Sequence, residues 1–167
     1  MAKSIPPTGR LSGFGTAFQL IQSQKMNIYF ACSITGGRAF EPVYQAITRA
    51  LLEDGHEVPT AHLAEPEVKA LEAIASPREV YERDVAWIRT CDALIAEVST
   101  PSHGVGYEVA FALSLGKPVL CCYRDGQPVS KMITGNSQPN IRLAPYQATT
   151  EAVEVVRAFL NRPLAGL

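Results

Sequence analysis

The sequence predicts a doubly wound α/β domain: a parallel sheet of five strands with helices on both faces. Three observations predict it. From Met26 onward, short apolar segments alternate with amphipathic helical segments. The strand segments are apolar on successive residues, which marks strands buried on both faces, as in parallel sheets covered by helices. The 167-residue length holds one domain with a real core.

The elements follow in order. "NIYFACSI" (27–34) is a β-rich first strand that runs into "TGGR". "PVYQAITRALLEDG" (42–55) is a helix with Gly55 at its usual C-terminal position. "HEVPTAHL" (56–63) reads as a second strand, and Pro59 puts it near an edge. In "SPREVYERDVAWIRTC" (76–91), Ser76 is the N-cap and Pro77 the first helical residue. "DALIAEVS" (92–99) is a third strand, followed by a helix over 105–115 that Gly116 ends. "KPVLCCYR" (117–124) is the fourth strand, "NIRLAPY" (140–146) a weaker fifth, and "TEAVEVVRAFL" (150–160) a closing helix. Five such strands suggest the flavodoxin-like (Rossmann-like) order 2-1-3-4-5.

Residues 1–25 differ in kind. They mix Pro, Gly, Ser and Gln around one short apolar patch and lack the pattern of a secretory signal. They are expected to form an extension outside a single core domain over 26–167.

The bulk numbers exclude several classes. A net charge of −1 argues against a nucleic-acid partner. No apolar run is long enough to span a membrane. Cys32, Cys91, Cys121 and Cys122 lie in apolar runs without CxxC spacing, as buried reduced thiols of a cytoplasmic protein do. His56, His62 and His103 have no metal-ligand spacing, and no cofactor is implied.

Ligands of doubly wound sheets bind at the carboxyl ends of the strands, beside the switch point. Three loops lie there: 33–38, 99–106 and 124–136. The middle one, "SHGVGYE", opens a helix with a glycine-rich turn, where backbone N–H groups receive an anion. It lacks the third glycine of a dinucleotide fingerprint and is no P-loop. Gly104 and Gly106 allow close backbone approach and Ser102 adds a hydroxyl, so one small anion fits better than a pyrophosphate.

Two carboxylates stand out. At about 100° per residue, Asp84 falls in the middle of the apolar face formed by Val80, Tyr81, Val85, Trp87, Ile88 and Cys91. Burying a carboxylate costs several kcal/mol unless it is paired. Two readings fit equally: an acid bonded inside the fold, or a catalytic or ligand-binding acid. Glu108 lies early in the helix after the third strand, where the dipole favours its ionised form. It is either an ordinary first-turn acid or a nucleophile or base. Glu97, inside the third strand, is a further buried-acid candidate. Tyr29 is a core aromatic on the first strand, and Ser33, Ile34 and Arg38 belong to its following loop. His62 ends the second strand and could line a base pocket, although a structural histidine is the commoner case. "SKMITG" (130–135) reads as a plain loop carrying a hydroxyl and the flexible Met132.

Tyr29, Asp84, Glu108 and Ser130-x-Met132, together with "YFACSITGGR", "ERDVAWIRTCDALIAEVSTPSHGVGYEVAFALSLGKPVLC" and "SKMITG", resemble the nucleoside 2-deoxyribosyltransferase family. The stretches run in family order. The closer likeness is to its hydrolase branch, the 2′-deoxynucleoside 5′-phosphate N-hydrolases. The resemblance implies that Glu108 is the glutamate acting at the anomeric carbon, Asp84 the acid handling the leaving base, and Tyr29 the residue orienting the glutamate and sugar. It implies that Ser102 replaces a transferase aspartate. It further implies that Ser130 and Met132 reach in from a neighbouring subunit, so a homodimer or larger assembly is expected. An aspartate at position 102 would repel a 5′-phosphate, whereas a serine beside the N–H groups of residues 104–106 would donate to it. Thr35 stands where hydrolase relatives often carry an arginine, and Arg38 is the available substitute.

The expected activity is therefore hydrolysis of the N-glycosidic bond of a (2′-deoxy)nucleoside 5′-monophosphate. The rivals are base exchange by a deoxyribosyltransferase and a non-catalytic nucleotide sensor on the same fold. The cytokinin-activating phosphoribohydrolases carry "PGGxGTxxE", which "SHGVGYE" matches poorly.

Overall fold

A computed structural model describes residues 24–68 and 73–162. Among the described residues the sheet has four parallel strands in linear order: β1 (Ile28–Ala31), β2 (Ala93–Glu97), β3 (Val119–Arg124) and β4 (Ile141–Tyr146). Helices that lie wholly within the described residues are α1 (Glu41–Glu53), α2 (Pro77–Thr90), α3 (His103–Ser114), the single turn α4 (Lys131–Thr134) and α5 (Thr149–Leu160). The predicted extension falls, for residues 1–23, outside the described residues.

The period-2 alternation of the strands sorts the core into two layers. Ile28, Phe30, Ala93, Ile95, Leu120 and Cys122 pack with α1 and α5 on one face. Tyr29, Ala31, Leu94, Ala96, Val119 and Cys121 pack with α2 and α3 on the other. A one-residue slip of any central strand would exchange the two sets, so the register is strongly held. Pairing runs Tyr29 to Leu94 and Ala96 to Cys121. Tyr29 therefore faces the side on which α2 and α3 lie.

The five-strand expectation is corrected to four. The segment predicted as the second strand makes one isolated parallel bridge, Glu57 to Asn27, on the outer edge of β1. Glu57 N–H donates to Met26 O and Glu57 O accepts from Ile28 N–H, each at 2.8 Å. The next ladder step would need an N–H from residue 59, which is proline. Phe30 N–H turns instead to the Thr60 side chain at 2.9 Å, and the chain enters a 3-10 turn, Ala61–Ala64. Removing that strand from the predicted order leaves the linear order observed.

Helix ends follow the local chemistry. Ser76 and Glu79 form a reciprocal capping box, with Pro77 in the first turn of α2. α3 begins at His103, two residues earlier than expected, because Ser102 is its N-cap. "SKMITG" is not a plain loop, since Ser130 caps the one-turn α4. All four cysteines are buried and free of disulfides. Among the described residues no helix is long and apolar enough to cross a membrane.

Candidate active site

The site joins Tyr29 on β1 to acids of α2 and of α3, the helix that follows β2. Tyr29 is fully buried, and its hydroxyl donates to Glu108 Oε1 at 2.8 Å. Glu108 sits in the second turn of α3, which crosses the same sheet face. Burial pushes the Glu108 carboxyl up to about 7; the Tyr29 hydrogen bond opposes the rise and the charge of Asp84 adds to it. The dipole at the α3 N-terminus was expected to keep Glu108 ionised, and burial outweighs that effect. Burial and the charges of Glu108 and Asp84 hold the Tyr29 phenol far above its ordinary range, so it remains a donor.

Asp84 comes from α2, and its field reaches both Tyr29 and Glu108. The two acids thus border one region, from neighbouring helices. Asp84 Oδ1 accepts from Arg83 Nε at 2.9 Å, and its side chain is 17% exposed. The Arg83 guanidinium lies 4.9 Å from the centroid of Trp87, whose ring meets His62 edge-on at 6.1 Å. Arg83, Trp87 and His62 therefore form one wall beside Asp84. Helical periodicity put Trp87 on the apolar face and did not reveal its pairing with Arg83. Tyr81, assigned to the apolar face, is 54% exposed and its hydroxyl meets that of Tyr107 at 3.2 Å.

A cavity of about 910 Å³ opens across the start of α3, lined among others by Thr35, Gly36, Ser102, Gly106, Ser130 and Met132. Tyr29, Asp84 and Glu108 are not in its lining: at 100° per residue, Glu108 points more than a third of a turn away from the side bearing Ser102, Gly106 and Val109. The serines and the carboxylates occupy two sides of one helix. Ser102 Oγ accepts from Val105 N–H at 3.4 Å and Ser102 O from Gly106 N–H at 3.1 Å. The α3 mouth therefore offers the N–H groups of His103 and Gly104, and Gly106 is already engaged. Ser130 is exposed and Met132 is 85% exposed on the rim.

The remaining predicted residues divide. Ser33 is fully buried, against Gly36. Ile34 packs with the core of the opposite sheet face. Arg38, expected as an available anion ligand, is engaged within the fold. It donates to Glu41 at 2.8 Å and to the carbonyls of Leu63, Ala64 and Glu65 at 2.8, 3.1 and 2.8 Å. Those bonds occupy most of its donors. The glycines of "TGGR" carry a contact that composition did not reveal. A Cβ on Gly36 would lie 2.5 Å from Pro101 O, so only glycine lets this loop touch the one that leads into α3. Among the described residues no cluster of His, Cys, Asp and Glu could hold a metal ion.

The geometry can stabilise positive charge beside Glu108 and receive a small anion at the α3 mouth. A family model described as nucleoside 2-deoxyribosyltransferase matches residues 28–154. The relative named "Putative 2'-deoxynucleoside 5'-phosphate N-hydrolase 1" of Methanococcoides burtonii is 42% identical over 116 residues, covering 70% of this chain and 95% of its own. The 5-hydroxymethyl-dUMP N-hydrolase of Mus musculus is 39% identical over 140 residues, covering 81% and 78%. Among solved structures, a CMP N-glycosidase of Clostridium botulinum superimposes with a TM-score of 0.61 at 20% identity, over 79% of this chain and 98% of that one. At that identity the likeness is one of fold.

Proposed function

We propose a reaction for this chain, which belongs to the nucleoside 2-deoxyribosyltransferase family: hydrolysis of the N-glycosidic bond of (2′-deoxy)nucleoside 5′-monophosphates, releasing free base and sugar 5-phosphate. The observation that carries the mechanism is the hydrogen bond from the buried Tyr29 to the partly buried Glu108, with Asp84 close enough to perturb both.

Breaking the bond builds positive charge on the sugar ring, and a fixed carboxylate stabilises it as in glycosidases. Glu108 is the group for that task, as nucleophile or as base for water. Tyr29 aims it and helps hold its charge. The departing base gathers negative charge and needs a proton or hydrogen bond. Asp84, backed by Arg83, takes the leaving side, and Trp87 and His62 supply apolar and aromatic surface for a planar base. The 5′-phosphate rests at the α3 mouth, on the N–H groups of His103 and Gly104 and the Ser102 hydroxyl. The sugar lies between the phosphate and the glutamate.

The exposed Ser130 and Met132 fit a homodimer in which Ser130 and Met132 of the partner subunit finish the neighbouring site. Sedimentation of the full chain tests the assembly. The reaction is tested by incubation with a panel of ribo- and deoxyribonucleoside 5′-monophosphates, with free base read by chromatography. Release of base from at least one is expected. A second acceptor base distinguishes hydrolysis from transfer, because the hydrolase forms no new nucleoside. Tight binding without any release would favour the sensor.

A further inference from the structure

Glu97 ends β2 with a fully buried carboxyl that the proposed reaction does not use. Its Oε1 accepts from Ser99 N–H at 3.2 Å, from the Ser99 hydroxyl, and from the Tyr146 hydroxyl at 3.0 Å. Ser99 Oγ in turn accepts from Arg124 N–H at 2.6 Å. Arg124 is the last residue of β3 and Tyr146 the last of β4. One carboxyl thus binds together the ends of three neighbouring strands, at the edge of the sheet where ligands are received.

Stability alone does not account for this residue. A buried ionisable group is costly even when hydrogen-bonded, and an apolar side chain of similar volume often serves a core as well or better. Glu97 Oε2 is buried as well, with the Tyr44 hydroxyl near it. The gain lies in direction. The chain leaving the knot is the short loop 99–102. Ser99 on Glu97 and under Arg124 N–H holds its start, and Thr100 and Pro101 O lie against Gly36 further on. At its far end Ser102 caps α3, the helix that carries the phosphate-facing N–H groups and Glu108.

We propose that Glu97 is a positioning residue that acts through Ser99 to set the loop 99–102, and with it Ser102 and the α3 mouth, at the height that receives the substrate's phosphate. The inference rests on the proposed hydrolase reading for the nature of the ligand. It separates the two arms of the knot. The Ser99 arm leads to the ligand, whereas the Tyr146 arm leads away from it and serves the fold alone.

The test compares Ser99→Ala, Tyr146→Phe and Glu97→Gln in the full chain. Steady-state kinetics use a nucleoside 5′-monophosphate that the wild type cleaves, and calorimetry measures the Kd of deoxyribose 5-phosphate. Ser99→Ala is expected to raise KM and Kd about tenfold with kcat changed much less, because a displaced contact weakens binding. Tyr146→Phe should lower the melting temperature comparably and leave KM and Kd at wild-type values. Glu97→Gln keeps an acceptor at Oε1 and should stay near the wild type. If Ser99→Ala does not fold, Glu97→Asp, which withdraws the acceptor by one methylene, carries the same expectation. Wild-type KM and Kd in the Ser99 variant, or an equal rise in Tyr146→Phe, would overturn the inference. If the wild type releases no base from any monophosphate, the hydrolase reading fails, while the sugar-phosphate Kd still reads the role of Glu97. Failure of the wild type to bind that sugar phosphate overturns the inference as well.

Discussion

Tyr29 and Glu108 lie 79 residues apart in sequence and are joined by a 2.8 Å hydrogen bond beneath the carboxyl edge of the sheet. The strand's period of two turns Tyr29 toward the face covered by α2 and α3. The phenol is fully buried and has no water to compete for it, so the bond is directional and strong. It also opposes the burial that raises Glu108 to about 7. A carboxyl held there can take up and release a proton near neutral pH, as a general base does.

Tyr29→Phe removes the bond that favours the Glu108 carboxylate. The carboxyl then rises further, and the acidic limb of kcat/KM moves upward from about 7. Hydrogen bonds to charged groups contribute roughly 1.5–3 kcal/mol, so activity at neutral pH should fall by about 10- to 100-fold. A pH–rate profile checks this. An unmoved limb would mean that the phenol does not tune Glu108.

Asp84→Asn should move the same limb the other way. The negative charge of Asp84 raises Glu108, and removing it lets the carboxyl ionise at lower pH. The variant should also lose turnover, most strongly with substrates whose bases are poor leaving groups. A limb that stays in place would show that the two acids do not share a field in solution.

Glu108→Gln should abolish base release and leave the circular dichroism spectrum unchanged. It should also alter the pH dependence of stability. The folded-state value of about 7 exceeds the ordinary value of 4.5, so folding favours the protonated form. That stabilisation is complete below the unfolded value and is lost as pH rises through the folded one. Above neutral pH the wild type therefore carries a penalty of a few kcal/mol, about 1.4 for each pH unit between the two values. Melting curves at pH 5 and pH 8 should show the glutamine variant gaining on the wild type at the higher pH. Parallel behaviour at both would contradict a raised Glu108.

Much of this was legible in the sequence, for reasons that differ by residue. Asp84 was legible because a carboxylate in a helix's apolar stripe breaks the 3.6-residue pattern. Ser76 was legible as a helix start because capping chemistry is local, whereas Ser102 read only as a hydroxyl for an anion and its helix starts two residues earlier than expected. The missing strand was legible only in part: Pro59 signalled an edge, but the diversion of Phe30 N–H to Thr60 depends on a tertiary neighbour. Arg38 and Gly36 were misread or missed because their partners lie about 25 and 65 residues away, beyond any local pattern. The resemblance supplied the Tyr29–Glu108 pairing; composition and periodicity could not, since both residues also read as ordinary core and first-turn choices.

Ser102→Asp separates the phosphate site from the helix cap. Aspartate caps a helix as well as serine does, so α3 should form normally. Its charge would nevertheless meet a 5′-phosphate at short range. The ratio of kcat/KM for a monophosphate over its nucleoside should fall by about tenfold or more, since one such repulsion amounts to a kcal/mol or two. An unchanged ratio would move the phosphate elsewhere.

Arg38→Ala isolates a structural cation from a catalytic one. The Arg38 side chain is 13% exposed, and its loss would leave the carbonyl of Ala64 without this donor and those of Leu63 and Glu65 with one donor fewer. The cost should be on the order of 3 kcal/mol. For a chain of this size that lowers the melting temperature by roughly 6–12 °C. Because its guanidinium is spent inside the fold, the monophosphate-over-nucleoside ratio should stay at the wild-type value below the new melting temperature. Thermal denaturation and the two-substrate assay together decide the matter. A collapsed ratio with an unchanged melting temperature would return Arg38 to the phosphate.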